Sequence, residues 1–331
     1  TCSAEFNKEI GEIQKMKYCF GVDIGGTTVK LGLFTTEGEI VDKWEIKTRT
    51  ENQGEAVLPD IAAALNEKLE EKQIPKDEVE GIGVGVPAPV DSEGVVQNTA
   101  NLGWGYKEVK REMEELSGMK AEIGNDANVA ALGEMWLGAG KGRKNIIMVT
   151  LGTGVGGGII IDGKPLVGAH GAGGEIGHLC VNYEETDHCG CGNTGCLEQY
   201  ASATGIVNLT RRYADEYEGD SQLKVLIDNG EEVTAKTVFD LAKEGDALAL
   251  IVYKNFSRYL GLAAANIGST LNPSKIVIGG GVSAAGDFLL DGVRKVFEEN
   301  SFPQVRESTQ LALATLGNDA GVIGAASLVL Q

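Results

Sequence analysis

The stretch YCFGVDIGGTTVKLGLFTTEGEIVDKWEIKT (Tyr18 to Thr48) has the pattern of strand, glycine turn, strand, Thr-Glu-Gly turn and strand. The stretch NIIMVTLGTGVGGGIIIDGK (Asn145 to Lys164) repeats the first strand, the glycine turn and the second strand. Further strand and helix patterns follow each hairpin. The sequence therefore predicts an α/β fold of two duplicated domains with a cleft between them. Ligands of open α/β sheets bind in such clefts, beyond the carboxyl ends of the strands.

Helices are predicted from the spacing of apolar side chains. One helix over about 55–72 is indicated by apolar residues at every fourth position, namely Val57, Ile61, Leu65 and Leu69. Similar patterns cover about 107–117, 203–215, 236–246 and 247–270, and the C-terminal segment has the pattern of a strand and a helix. Asn125 and Asp126 come at another helix start, where amide and acidic side chains cap free N–H groups.

Composition and charge limit the class of protein. The chain has 331 residues, 47 of them glycine, and a formal net charge of −19. This charge argues against a general nucleic-acid or anionic-membrane binder, because phosphate contacts need clustered lysine and arginine. No apolar run reaches the roughly 18 residues of a membrane span, and residues 1–15 lack the apolar core of a signal peptide. We therefore expect a cytoplasmic protein without nucleic-acid or membrane partners, in which residues 1–15 form a disordered or expression-derived extension.

Three glycine-rich turns follow strands: DIGGTT (Asp23–Thr28), LGTGVGGG (Leu151–Gly158) and GGGVS (Gly279–Ser283). Glycine lets backbone N–H groups turn inward on an anion, and neighbouring threonine hydroxyls donate to phosphate oxygens. Each turn alone is explained as well by a tight turn, but three of one kind favour a phosphate site. GTGVGG is no dinucleotide fingerprint, because a strand follows it, and GIIIDGKP lacks the Ser or Thr of a Walker loop.

An acidic side chain directly before a phosphate-type turn is electrostatically unexpected. Asp23 in that place fits a site that holds a cation, directly or through water. Mg²⁺ bound to nucleotide phosphates takes one or two carboxylates and keeps several waters. We therefore expect Asp23 to contact Mg²⁺.

The stretch HCGCGNTGC (His188 to Cys196) contains three of the six cysteines. A disulfide is disfavoured in the reducing cytoplasm, and a redox pair more usually has the spacing C-x-x-C. Three thiolates with one imidazole suit a tetrahedral structural Zn²⁺, and His178 or His188 would supply the imidazole. The apolar surroundings of Cys19 and Cys180 predict that both are buried thiols.

Five motifs in order resemble the ROK family of sugar kinases and repressors, and within it the bacterial glucokinases: DIGGTTVKLG, GNDANVAALGE, LGTGVGGGIIIDGKPLVGAHGAGGEIGH, CGCGNTGCLE and IVIGGGVS. The resemblance runs from about Tyr18 to the C-terminus. It implies an actin-like, hexokinase-type ATPase fold whose small N-terminal domain includes the last helix. The small domain would be residues 16–123 with about 315–331, and the large domain residues 124–314 with the zinc-binding loop.

The resemblance also implies the roles of individual residues. From its position alone Asp126 is better explained as a helix cap, but the matching aspartate of these kinases is the base that takes the proton of the sugar hydroxyl. The implied sugar-binding residues are Asn101, Asn125, Asp126, Glu175, His178 and Glu198. The implied ATP-binding residues are Asp23, Gly25, Gly26, Thr27, Thr28, Lys30, Thr153, Gly154, Gly279 and Gly280. The family pattern favours His178 over His188 as the zinc ligand, with Cys189, Cys191 and Cys196, so that zinc would fix the segments bearing Glu175 and Glu198.

The activity implied is transfer of a phosphoryl group from MgATP to the 6-hydroxyl of glucose, with polyphosphate as the alternative donor. Related kinases for N-acetylmannosamine, N-acetylglucosamine or fructose share nearly all these motifs. A sugar-responsive repressor would carry a helix-turn-helix ahead of the core, and only about fifteen residues precede the first strand here. A non-catalytic sugar binder would be expected to lose Asp126 or a phosphate loop. Kinases of this family are commonly oligomers, so we expect a homodimer or homotetramer.

Overall fold

Two sheets form the frame of the molecule. The structure is a computed structural model that describes residues 17–99 and 101–331, so the predicted extension at residues 1–15 lies outside the described residues. The strands are β1 (Tyr18–Ile24), β2 (Thr28–Thr35), β3 (Ile40–Lys47), β4 (Val79–Val86), β5 (Val95–Val96), β6 (Lys107–Glu108), β7 (Ala121–Asn125), β8 (Ile146–Leu151), β9 (Val155–Ile161), β10 (Lys164–Pro165), β11 (Lys275–Gly279) and β12 (Gln310–Leu313).

Twelve helices join and cover the strands in the part of the chain that is described. They are α1 (Glu51–Gly54), α2 (Val57–Lys72), α3 (Val109–Ser117), α4 (Asp126–Trp136), α5 (Glu198–Ala201), α6 (Ala203–Glu216), α7 (Gln222–Asp228), α8 (Ala235–Lys243), α9 (Ala247–Leu271), α10 (Asp287–Asn300), α11 (Pro303–Ser308) and α12 (Ala320–Leu328). Within the described ranges, no helix is both long and apolar enough to cross a membrane.

The two five-stranded sheets have the same topology. Their strand orders are β3-β2-β1-β4-β7 and β10-β9-β8-β11-β12. In each sheet an antiparallel hairpin supplies the central strand, and a strand that arrives from a crossover pairs parallel to it. A last strand then pairs parallel to the crossover strand at the edge of the sheet. This is the duplication that the repeated hairpin pattern predicts. The strand β9 begins at Val155, inside GTGVGG, where a dinucleotide fingerprint would open a helix.

The helices bury the apolar faces of both sheets. Val57, Ile61, Leu65 and Leu69, the residues that predicted the first helix, are all buried on α2 against the first sheet. The opposite face of this sheet is covered by α12. The second sheet packs against the long helix α9 and its neighbours α6, α8 and α10.

The helix α4 lies between the two halves of the molecule. Ala131 and Leu132 on α4 pack against Ile146, Met148 and Ile160 of the second sheet. Another face of α4 packs against α12, which itself lies on β1 and β4 of the first sheet. The first residue of α4 therefore stands at the junction of the two sheets.

The close packing of α12 depends on glycine. A Cβ atom at Gly83 would overlap the carbonyl oxygen of Ala325, and one at Gly324 would overlap that of Val129. Glycine at these two positions brings the last helix into direct backbone contact with both β4 and α4.

Candidate active site

A cleft of about 600 Å³ opens where the carboxyl ends of the two central strands face each other. The first sheet contributes Asp23 at the end of β1, and the second contributes the turn between β8 and β9. Polar and glycine residues from several other elements complete the lining: Lys30, Asp126, Glu175, His178, Glu198, Gly280, Gly317, Asn318 and Gly321. This is the position at which ligands of α/β sheets bind.

Asp126 is the first residue of α4, and its neighbour Asn125 is the helix cap. The Asn125 Oδ1 atom accepts from the N–H groups of Ala127 (3.0 Å) and Asn128 (3.4 Å), and its Nδ2 donates to the Ala88 carbonyl (3.2 Å). The side chain of Asp126 is open to the cleft, with Oδ1 accepting from the Ala127 N–H (2.8 Å). Desolvation within the cleft, with the nearby charge of Glu175 adding to it, raises the pKa of the Asp126 carboxyl above its ordinary value.

Asp23 and Lys30 face each other across the first hairpin. They are paired in the register of β1 and β2, and the Lys30 Nζ atom donates to the Asn318 carbonyl at 2.8 Å. Burial raises the pKa of Asp23, the charge of Lys30 opposes this effect, and the charge of Asp126 adds to it. Two neighbouring carboxylates beside a lysine form a site that suits a cation and phosphate oxygens.

The wall of the second sheet carries Glu175, His178 and Glu198. Glu175 precedes a 3-10 turn at Ile176–His178, and its Oε2 atom lies 4.0 Å from the His178 Nε2 atom. Glu198, at the start of α5, accepts from the Val155 N–H at 2.9 Å. Carboxylates and an imidazole grouped on one wall can make several hydrogen bonds to a polyol.

Three thiols and one imidazole converge behind this wall. The ligand atoms of His178, Cys189, Cys191 and Cys196 lie within 4.8 Å of one another. The Cys189 Sγ atom is 3.7 Å from His178 Nδ1, and the Cys191 and Cys196 sulfurs are 3.7 Å apart. Zn–S bonds of about 2.3 Å in a tetrahedron put neighbouring sulfurs about 3.8 Å apart, so the donor set and its spacing fit zinc.

The two histidines of this region, His178 and His188, have different surroundings. His188 Nδ1 lies 3.0 Å from the Gly192 carbonyl oxygen, and His188 is not among the grouped ligands. His178 presents Nδ1 to the cysteines and Nε2 to the cleft. A metal on Nδ1 would leave the proton on Nε2, which makes this nitrogen a donor toward a ligand in the cleft.

Glu185 anchors the segment that leads into the cysteine cluster. Its buried carboxylate accepts two hydrogen bonds from Arg212 (both 3.0 Å), one from Tyr200 (2.5 Å) and others from the N–H groups of Thr186 and Asp187. The Arg212 guanidinium holds the pKa of Glu185 low, at about 2. This anchor fixes the loop before Cys189 to α5 and α6.

The remaining cysteines differ from each other. Cys19 is buried, and burial raises the pKa of its thiol to about 12. The prediction that Cys180 is buried is wrong, because its side chain is exposed. Its neighbours Leu179 and Val181 gave the segment its apolar pattern, but Leu179 is itself exposed where the chain runs along the surface beside the cluster.

A second, mostly apolar cavity of about 390 Å³ adjoins the cleft and shares Gly152 with it. Its apolar lining comes from α8 and from the 3-10 turn after β11, with Ala235, Phe239, Val282 and Ala285. These residues were not predicted from the sequence. Their spacing gave no signal, because apolar residues on a helix are expected in any core.

The predicted site residues are distributed over the cleft and its edges. Those that line the cleft are Asp23, Lys30, Asp126, Gly154, Glu175, His178, Glu198 and Gly280. Thr153 lines the adjoining apolar cavity, and Gly279 is buried against Met148 and Ala314. Asn101 is exposed and packs against Gly26 of the first glycine turn. This turn, with Gly25, Gly26, Thr27 and Thr28, and the capping residue Asn125 stand outside the lining.

Comparisons with known proteins agree with this architecture. A family model described as "ROK family" matches residues 19–331. A glucokinase of Halalkalibacterium halodurans is 47% identical over 95% of this chain and 96% of its own length.

Among solved structures, a ROK hexokinase from Thermus thermophilus superposes with a TM-score of 0.79 at 30% identity, covering 94% of this chain and 97% of that one. A ROK glucokinase from Streptomyces griseus, in complex with glucose and AMPPNP, superposes with a TM-score of 0.70 at 34% identity, covering 94% and 98%. These structures share the hexokinase-type α/β fold that the sequence predicts. With its duplicated sheets, its cleft and a family match over nearly its whole length, the chain belongs to the ROK family.

Proposed function

We propose that this protein is an ATP-dependent glucokinase that transfers the γ-phosphoryl group of MgATP to the 6-hydroxyl of glucose. The proposal rests mainly on the position of Asp126, whose carboxylate is open to the cleft. The glycine turns lie on one side of this cleft, and Glu175, His178 and Glu198 lie on the other. The similarity to a glucokinase over nearly the full length of both chains supports glucose as the substrate.

Asp126 would act as the general base. The transferred phosphoryl group needs alignment and charge neutralisation, and the attacking hydroxyl needs an acceptor for its proton. Because Asn125 caps α4, the carboxylate of Asp126 is available to that hydroxyl. Its raised pKa makes it a somewhat better proton acceptor than an exposed aspartate.

The nucleotide would extend from the cleft into the apolar cavity. The turn with Thr153 and Gly154 borders both spaces, so it suits the phosphates, and Lys30 also lines the cleft. The first glycine turn would complete the phosphate site. The cavity beside Phe239 and Val282 suits an adenine ring. Gly281 lines this cavity and directly follows Gly279 and Gly280 in the chain, so these two glycines would lie close to the adenosine. Asp23 would hold Mg²⁺, whose charge neutralises the phosphates when bound.

Zinc on His178 and the three cysteines would have a structural role. A full set of four protein ligands leaves no open position for chemistry. The ion would join the turn that carries Glu175 to the loop that leads to Glu198, and so hold two sugar-binding carboxylates at a fixed separation. His178 would donate to the sugar through Nε2.

We further propose that residues 16–123 with about 315–331 form a small domain and residues 124–314 a large one. Closure of the two over glucose would exclude water and limit ATP hydrolysis. A cytoplasmic location remains an expectation from the sequence, and a homodimeric or homotetrameric assembly remains an expectation from the family.

The test is a coupled assay of ATP turnover by the purified protein against glucose, mannose, fructose, N-acetylglucosamine and N-acetylmannosamine. Turnover with glucose at the highest kcat/KM supports the proposal. Turnover only with an N-acetyl sugar would leave the proposed mechanism in place but would identify an N-acetyl sugar as the substrate instead of glucose. A folded, zinc-loaded protein without sugar-dependent turnover would overturn the kinase proposal in favour of a sugar-binding role.

A further inference from the structure

We infer that Glu134 is a positioning residue for the nucleotide half of the reaction. Its buried carboxylate holds the chain segment Thr315–Gly321, which crosses from the second sheet to α12 and forms one wall of the cleft. The inference rests on the proposed kinase function, but its test includes a measurement that does not depend on turnover.

Glu134 lies near the end of α4 and is fully buried. Its Oε1 atom accepts from the N–H groups of Thr315 (2.9 Å) and Leu316 (2.8 Å). Its Oε2 atom accepts from the Ala139 N–H (2.7 Å), with the Thr315 hydroxyl at 3.4 Å. Every one of these donors is neutral, so the carboxylate joins three separate backbone groups without forming an ion pair.

The segment held by Glu134 reaches the residues proposed for phosphate and Mg²⁺. Gly317, Asn318 and Gly321 line the cleft. The Asn318 carbonyl accepts from Lys30 Nζ at 2.8 Å, and a Cβ atom at Gly321 would lie 2.5 Å from the Asp23 carboxylate. A shift of this segment would therefore displace the partners of both Lys30 and Asp23.

The sugar side of the cleft is built on other elements. Glu175 and His178 belong to the loop after β10, and Glu198 belongs to α5. The described hydrogen bonds of these residues do not involve the crossover segment. Loss of the Glu134 contacts should therefore weaken nucleotide binding more than sugar binding.

An ordinary packing role does not explain a carboxylate at this place. Burying an ionised group costs free energy, and well-packed apolar side chains stabilise a core at least as well. Glu134 instead determines where the crossover segment lies, at the point where the chain passes from one half of the molecule to the other.

Two variants disturb the carboxylate in different ways. Glu134→Gln keeps the shape but turns an amide NH₂ toward one of its donors, because the single oxygen cannot serve both sides. Gly138→Ala leaves Glu134 intact and places a methyl group where it would overlap Oε2. Val293→Ala on α10, buried and away from the cleft, is the control for a general loss of stability.

KM for MgATP and KM for glucose would be measured for all four proteins, together with the Kd of AMPPNP by calorimetry. We expect KM for MgATP and Kd for AMPPNP to rise about tenfold in both test variants, about the effect of losing one hydrogen bond to a charged group. KM for glucose should stay within about twofold of the wild type, and Val293→Ala should change none of the three constants.

Equal changes in both KM values, or wild-type binding of AMPPNP by both test variants, would overturn the inference. If Glu134→Gln does not fold, the KM and Kd values of Gly138→Ala decide whether the inference holds. If the wild type binds AMPPNP but shows no sugar-dependent turnover, the proposed function fails, and the Kd values alone decide the role of Glu134.

Discussion

Replacing Asp126 by asparagine separates the chemical role of this side chain from its structural role. The amide has nearly the same shape and can keep the 2.8 Å contact with the Ala127 N–H, while Asn125 continues to cap α4. It cannot accept the proton of the sugar hydroxyl. General-base catalysis contributes about 10²- to 10⁴-fold, so kcat should fall by that factor while KM for MgATP changes little.

The thermal stability of the Asp126→Asn variant is a second, independent test. The pKa of Asp126 is raised in the folded protein, chiefly by desolvation, so the ionised form is less favourable there than in the unfolded chain. Its charge therefore costs stability above the raised pKa, and this cost disappears as the pH falls below the unfolded value. Because the side chain is open to the cleft, the effect is small. The Asn variant should melt at pH 7 at the same temperature as the wild type or slightly higher.

The measurements are kcat by the coupled assay, the melting temperature, and the pH profile of kcat/KM. In the wild type, activity should fall on the acid side at a pH above the ordinary range of an aspartate, because Asp126 must be ionised to act. Asp162→Asn is the matched control, since it makes the same chemical change at an exposed turn after β9. A loss of less than tenfold in an intact Asp126→Asn protein would refute the assignment of the base. A loss of activity that follows a lowered melting temperature would refute the argument from desolvation.

Three further predictions concern the proposed zinc site, the Glu185 anchor beside it and the glycine after β11. Cys191→Ser removes one thiolate of the cluster, so bound zinc measured by mass spectrometry should fall and KM for glucose should rise, whereas Cys180→Ser should keep its zinc. Glu185→Gln breaks the paired contact with arginine and should lower the free energy of unfolding at pH 7 by about 2 kcal/mol, measured in urea. Since the pKa of Glu185 is lowered to about 2 from an ordinary 4.5, the wild type should lose this contribution as the pH falls from about 5 toward 2, and the variant should not. Gly280→Ala places a side chain at a φ of 83° and 2.5 Å from the Leu151 carbonyl oxygen, which should cost about 2 kcal/mol and weaken AMPPNP binding; unchanged melting and binding would contradict this.

Much of the fold could be predicted from local sequence patterns. The repeat of strand, glycine turn and strand predicted two sheets of one topology, because each hairpin is specified within about twenty residues. The α2 helix and the start of α4 were predicted from spacing and capping residues for the same reason. The extent of the helix α10 was not predicted, although Leu289, Val293 and Phe297 recur every fourth position and are all buried.

Contacts between distant segments could not be predicted in this way. Phe239 and Val282 meet in one cavity, but each has the pattern of an ordinary core residue. Glu134 belongs to the motif GNDANVAALGE, yet nothing near it in the sequence indicates that its partners are Thr315 and Leu316. The grouping of His178 with three cysteines was the opposite case, because the three cysteines lie in one short loop and their spacing indicated a candidate metal site.

The position of α12 has a consequence for the synthesis of the protein. The first sheet is complete once β7 has been made, but one face of it is covered by a helix near the C-terminus, in backbone contact with β4. During translation that apolar face stays exposed while the whole second half of the chain is produced. We therefore expect the N-terminal half to rely on chaperones on the ribosome and to reach its native packing only after the last helix emerges.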